Sequence, residues 1–177
     1  SAGYGIRVEQ GWVALLQARL RAKGYGHRVV NASSSGETTG GALARLPRAL
    51  ATHRPAIVIV ELGGNDGLRG LPVADIRRNF EAIVRSSQQA GAKVLLVGMK
   101  IPPNYGPAYT RDFYGLYGDL ARQYKLPSVP FLLQKVAPHE NLFQEDGIHP
   151  TAEGYHIITE NIFPFARKAI DRVRQRP

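Results

Sequence analysis

Three short segments of this chain carry residue types that can do acid–base or electrostatic chemistry. The strongest is Asp146-Gly147-Ile148-His149-Pro150. A carboxylate and an imidazole three residues apart can meet if the glycine between them lets the chain curl, and the carboxylate then orients and stabilises a basic histidine. The second is Glu61-Leu62-Gly63-Gly64-Asn65-Asp66-Gly67. Two glycines ahead of an amide permit a sharp turn, so that Asn65 can aim its side chain into a cleft as a donor to an oxyanion. The same composition also serves a plain turn. The third is Asn31-Ala32-Ser33-Ser34-Ser35-Gly36-Glu37-Thr38, whose small residues let backbone N–H groups face a ligand at a helix N-terminus. Ser and Thr are equally the common helix caps. His27, His53, His139 and His156 lack such company and read as surface or helix residues.

Loops of this kind need strands and helices to hold them. Trp12, Leu15, Leu16 and Leu20 recur at helical spacing, which predicts a helix over residues 10–23 closed by Gly24. A short strand over 27–32 follows, then the Ser/Gly/Thr-rich loop and a helix carrying Leu43, Leu46 and Leu50. The β-branched run over 56–62 reads as a parallel strand covered on both faces, and the run over 93–99 as another. A helix over 73–89 lies between them, and a helix over 110–124 precedes a last strand over 128–133. The final helix spans about 152–173, with Pro164 expected to kink or interrupt it. This alternation predicts one α/β domain over residues 1–177: a three-layer, doubly wound, flavodoxin-like parallel sheet with helices on both faces. Ligands then belong at the carboxyl ends of the strands, and all three segments are expected among the loops there.

Composition narrows the chemistry further. The chain has 177 residues and no cysteine, which excludes disulfides, a thiolate nucleophile and cysteine-bound metals. No apolar run reaches the roughly 18–20 residues of a membrane-spanning helix. The net charge of +9 would suit an anionic partner, but the basic residues are scattered over predicted helices and are dense only in the tail Arg172-Val173-Arg174-Gln175-Arg176. A solvated basic surface is the better reading than a nucleic-acid stripe.

Taken in order, Gly36, Gly63-Gly64-Asn65-Asp66 and Asp146-Gly147-Ile148-His149-Pro150 resemble the blocks of the SGNH, or GDSL, hydrolases. Ser1-Ala2-Gly3-Tyr4, Val30-Asn31-Ala32-Ser33, Ala44-Arg45-Leu46-Pro47, Glu61 to Gly70 and Pro103-Asn104-Tyr105-Gly106 resemble more closely the family's bacterial thioesterase, arylesterase and lysophospholipase branch. The resemblance runs from Ser1 to about Phe165. It implies that Gly36 and Asn65 are the oxyanion donors, His149 the general base, and Asp146 the carboxylate that orients it. Leu68, Arg69, Pro103 and Tyr105 fall in segments similar to the family's substrate-contacting loops. The nucleophile motif, Gly-Asp-Ser-Leu before a Ser-Ala-Gly segment, would put the nucleophilic serine two positions upstream of Ser1, along with the first strand of the sheet. Ser1 itself is not expected to be the nucleophile. Ser34-Ser35-Gly36-Glu37 departs from close relatives, which tend to have Ile and Asp beside Ser-Gly, but it keeps the glycine.

The activity implied is hydrolysis of acyl esters and thioesters without metal or cofactor, by a monomer that is periplasmic or secreted. A small-molecule acyl substrate is the expected partner, with no nucleic acid and no stable membrane insertion. Carbohydrate deacetylation and a non-catalytic acyl-binding module are the alternatives.

Overall fold

The β-branched run forms the first strand, β1 (Ile57–Val60), and Lys93–Val97 forms the second, β2. They pair in parallel, Ile57 opposite Lys93 and Val60 opposite Leu96. A third strand, β3 (Ser128–Val129), joins β2 in parallel, so the described sheet has the order β1-β2-β3. The computed structural model describes residues 3–174. Its helices are α1 (Trp12–Ala22), α2 (Thr39–His53), α3 (Gly64–Leu68), α4 (Val73–Gln89), α5 (Pro107–Gln123) and α6 (Ala152–Arg174). Between β1 and β2 the chain passes through α4, and between β2 and β3 through α5. Such helical crossovers are what parallel pairing requires.

The described residues divide into two compact units. One comprises the chain up to Ser35 with Leu132–Arg167, the other Gly36–Phe131 with the chain from Lys168 onward. In the second unit Phe80, Val84, Leu96, Phe113, Leu116 and Leu120 form a buried cluster with Ile76 and Val60. The α4 residues Ile76, Phe80, Ile83 and Val84 repeat at three- and four-residue spacing, which turns one face of that helix inward. In the first unit Trp12, Leu16 and Leu20 of α1 are buried, as are Tyr155, Ile158 and Ile162 of α6. Arg19 ties these two helices: its guanidinium pairs with Glu160 at 2.9 Å and lies 4.9 Å from the centre of the Phe163 ring.

Two sequence expectations are corrected. Residues 27–32 form no strand among the described residues. There the Gln17 side chain stands in for a neighbouring strand, donating to His27 O at 3.0 Å and accepting from Val29 N at 2.7 Å. The last strand stops at Val129 rather than running to Leu133, because the chain bends at Pro130 and enters turns from Leu132 onward. Of the two outcomes expected at Pro164, interruption does not occur, since helix α6 is continuous across it. Part of the basic tail, Gln175 and Arg176, lies outside the described residues.

The approach of β3 to β2 demands a glycine. Gly98 N donates to Val129 O at 2.8 Å, and a Cβ on Gly98 would lie 2.1 Å from Pro130 O. Gly98→Ala must push one backbone away from the other. Overpacking of this kind costs about 1–3 kcal/mol, so thermal unfolding should show a Tm lower by roughly 3–10 °C. A wild-type Tm would refute the close approach.

Candidate active site

The histidine loop is built as a small closed hairpin in the first unit. Gln144 N donates to His149 O at 2.7 Å and Thr151 N to Leu142 O at 2.8 Å, while Phe143 bridges Pro150 in antiparallel fashion. Gly147 takes a left-handed φ of +67°, which lets the chain turn back within four residues. The turn brings the Asp146 carboxylate under His149. One carboxylate oxygen accepts the backbone N–H of Ile148 and of His149, each at 2.9 Å, and the other faces His149 Nδ1 at 2.6 Å. The sequence-predicted pair is thus in contact, with its side chains still 40% (His149) and 36% (Asp146) exposed. With Nδ1 engaged by a carboxylate, Nε2 is the nitrogen left to accept a proton.

Two neighbours of this pair were not anticipated. The Tyr4 ring lies against the His149 ring, centroids 4.6 Å apart and planes tilted by 35°. Gln144 Nε2 donates to Tyr4 O at 2.8 Å and to Pro150 O at 2.9 Å, so one amide braces both the tyrosine and the loop. Neither contact has a sequence signal, since Tyr4 and Gln144 are 140 positions apart. Ser1 lies outside the described residues.

The Gly-Gly-Asn-Asp segment lies in the second unit, directly after β1. Gly63 has a φ of +97°, and a Cβ there would lie 2.3 Å from the Tyr117 hydroxyl. That hydroxyl donates to Leu62 O at 2.8 Å, and burial pushes the Tyr117 phenol well above its ordinary range, keeping it a neutral donor. From this turn α3 starts. Half-buried Asn65 donates through Nδ2 to Glu37 O at 3.0 Å, and Arg69 donates to Gly36 O at 3.2 Å. Gly36, at φ +70°, and Asn65 therefore belong to one hydrogen-bonded cluster. Beneath it lies the fully buried Asp66, which accepts Thr39 N at 3.0 and 3.2 Å and Thr39 Oγ1 at 2.5 Å.

The segments expected to contact substrate are also joined. Tyr105, in a 3-10 turn over Pro103–Tyr105, donates from its hydroxyl to Leu68 O at 2.6 Å. Tyr109 does the same to Leu71 O at 2.6 Å. Leu68 and Tyr105 are in contact, Arg69 reaches the Gly36 loop, and Pro103 is exposed on the same turn. Among the described residues no group of His, Asp and Glu could hold a metal ion, and no helix is long and apolar enough to cross a membrane.

The three hydrogen bonds to Asp146 have a titratable consequence. Backbone donation from His149 is the largest cause, with the His149 ring and the Ile148 N–H adding to it, and together they lower the Asp146 pKa from 3.8 to about 2. A carboxyl whose folded pKa is depressed stabilises the fold above its unfolded pKa and ceases to do so as pH falls through its folded value. The loop should therefore be fully held above about pH 4 and released as pH falls toward about 2. A carbon NMR titration of the Asp146 carboxyl should give a midpoint near 2, moved upward in His149→Ala. A wild-type midpoint near 4 would contradict the observed bonding.

Comparison with known proteins shows the family. Residues 1–157 match the family model of the GDSL-like lipase/acylhydrolase family. The chain is 49% identical over 164 residues to an esterase, TesA, of Pseudomonas aeruginosa, covering 93% of this chain and 82% of that protein. It is 39% identical over 160 residues to a thioesterase, protease and lysophospholipase of Escherichia coli, covering 90% of this chain and 76% of that one. The fold superimposes on the crystal structure of TesA with a TM-score of 0.92 at 48% identity, over 96% of this chain and 94% of that chain. With its ordered blocks, its α/β architecture and near-complete coverage by these relatives, the chain belongs to the GDSL-like lipase/acylhydrolase family.

Proposed function

We propose that this chain is a serine hydrolase of carboxylic esters and thioesters that works through His149, Asp146 and the donors Gly36 and Asn65. The observation that carries the proposal is the 2.6 Å contact between Asp146 and His149 Nδ1, which leaves Nε2 as the base. Relatives named esterase and thioesterase support the same bond class. The nucleophile in this reading is a serine that the family motif puts two positions upstream of Ser1. Its Oγ attacks the acyl carbonyl as His149 Nε2 takes its proton, and that proton passes to the departing alcohol or thiol. Water then attacks the acyl-enzyme, giving a proton to His149, and the acid leaves as the serine recovers its proton.

Asp146 acts on the ring rather than on the substrate. Held ionised by the two backbone N–H groups, it fixes the Nδ1–H tautomer and stabilises the imidazolium. Negative charge on the tetrahedral oxygen falls to Gly36 N–H and Asn65. Asn65 gives one amide proton to Glu37 O, which orients the group, and the other is the one offered to the oxyanion. Leu68, Arg69, Pro103 and Tyr105 are proposed to flank the acyl chain. The chemistry needs neither metal nor cofactor. The family resemblance further suggests a single-domain monomer acting in the periplasm or outside the cell. Many basic groups have acidic partners, among them Arg45 with Glu37, Arg77 with Asp119 and Arg78 with Asp75, which favours a small acyl substrate over a nucleic acid.

Turnover of p-nitrophenyl acetate, p-nitrophenyl octanoate and an acyl thioester by the full-length protein tests the reading, and all three should be hydrolysed. Acetylated sugar as the sole substrate would favour the deacetylase alternative. Inactivity of a folded, serine-containing protein would leave only a binding module.

Within the active enzyme, His149→Ala should lower kcat by on the order of 10⁴-fold or more, and Asp146→Ala by less, because the carboxylate orients while the ring transfers the proton. Asn65→Ala should lower kcat by about 10²- to 10³-fold with little change in KM. Steady-state kinetics on folded variants decide both. Wild-type kcat in His149→Ala would remove that histidine from the mechanism.

A further inference from the structure

We infer that Asp66 is a positioning residue for the oxyanion donors, acting through Thr39. The inference rests on the hydrolase reading above. Of the polar side chains buried among the described residues, Ser87 and Thr159 donate back to carbonyls of their own helices, Ile83 O and Tyr155 O, each at 2.8 Å. Such bonds are local and anchor nothing else. The other two, Asp66 and Thr39, bond to each other across 27 residues of sequence. A buried carboxylate is expensive unless its acceptors are filled. Here it is matched by the Thr39 N–H and hydroxyl, and Thr39 Oγ1 in turn accepts Asn79 Nδ2 at 3.0 Å.

The sequence neighbours of this pair give the contact its consequence. Asp66 directly follows Asn65 on α3, and Thr39, the first residue of α2, comes three residues after Gly36. Thr39 N–H belongs to the first turn of α2, whose unpaired amides and positive pole favour an anion. Above it, Asn65 Nδ2 bonds Glu37 O and Arg69 bonds Gly36 O. The two donor-bearing segments are thus joined by an exposed bond from Arg69, a half-buried bond from Asn65 and a fully buried clamp from Asp66. The exposed and half-buried bonds compete with water. The buried clamp does not, so it sets the spacing of the α2 N-terminus from Asn65 and, through Glu37, the orientation of the Asn65 amide.

A structural role alone would move stability. A positioning role must also move kcat without moving KM, since the donors act on the tetrahedral oxygen rather than on bound ester. In the full-length enzyme, Asp66→Asn should lower kcat by about 10- to 100-fold, the scale of a small misplacement of catalytic groups, with KM within about twofold. Thr39→Val, close in shape but without the hydroxyl, should do the same, and Thr39→Ser should restore most of the loss. The double variant Asp66→Asn/Thr39→Val should be no slower than the slower single one, because both break one clamp.

In nitrogen–proton NMR spectra, the Asn65 side-chain amide and the Gly36 N–H should shift in both single variants. That readout needs no turnover, so it decides the inference even if wild-type protein hydrolyses no ester and the hydrolase reading falls. If Asp66→Asn does not fold, the Thr39→Val and Thr39→Ser pair carries the test. Wild-type kcat in folded Thr39→Val, a loss confined to KM, or unshifted Asn65 and Gly36 signals would each overturn the proposal.

Discussion

Parallel pairing of β1 with β2 is the constraint from which most of this structure follows. Parallel neighbours cannot be joined by a tight turn, so each strand must hand the chain to a helix that returns it to the starting edge. The loops that leave the strands are therefore spliced directly onto helix N-termini. That is why the Gly-Gly-Asn-Asp segment sits where it does: β1 ends at Val60, Gly63 turns the backbone in a left-handed conformation, and α3 begins at Gly64. The turn is pinned from outside by Tyr117, whose hydroxyl reaches Leu62 O from α5, and this leaves no room for a side chain at position 63. One glycine and one tyrosine, 54 residues apart, thus define how Asn65 leaves the sheet.

Two carboxylates do opposite work in their respective units. Asp146 is exposed and has its pKa lowered by two backbone N–H groups and an imidazole. Solvent can stabilise it, so its hydrogen bonds are available to orient a ring that, in the proposed mechanism, changes charge. Asp66 is fully buried and surrounded by fixed donors. It has no solvent to fall back on and is suited to holding geometry. The division follows from dielectric: a group that must answer to changing charge is best kept near water, and a group that must not move is best kept from it.

The family assignment bears on chemistry, whereas the geometry bears on which atoms carry it. Matching relatives named esterase and thioesterase set the bond class. The contact at His149 Nδ1 selects the tautomer, and the bond from Asn65 to Glu37 O selects which amide proton stays free for the oxyanion of the proposed mechanism. Tyr4 and Gln144, packed against and bonded around the histidine loop, add a brace that the blocks by themselves do not predict.

By itself the sequence determined the alternation of strands and helices, the β-branched runs that became β1 and β2, and the helix over 73–89, because hydrophobic periodicity and glycine stops are local signals. It also determined the Asp146/His149 pairing, since a three-residue spacing around a glycine has few other ways to close. Tertiary structure decided what local signals cannot carry. The 27–32 run is as apolar as a strand, yet its backbone is served by the Gln17 side chain, and the last strand ends after two residues where the chain bends at Pro130. Helix α6 is not interrupted at Pro164, despite the proline's missing donor. The Thr39 and Asp66 clamp and the Tyr4 ring on His149 join residues 27 and 145 positions apart. Only folding sets such distances, because a side chain's partner across the chain depends on how helices and strands pack rather than on which residues stand beside it.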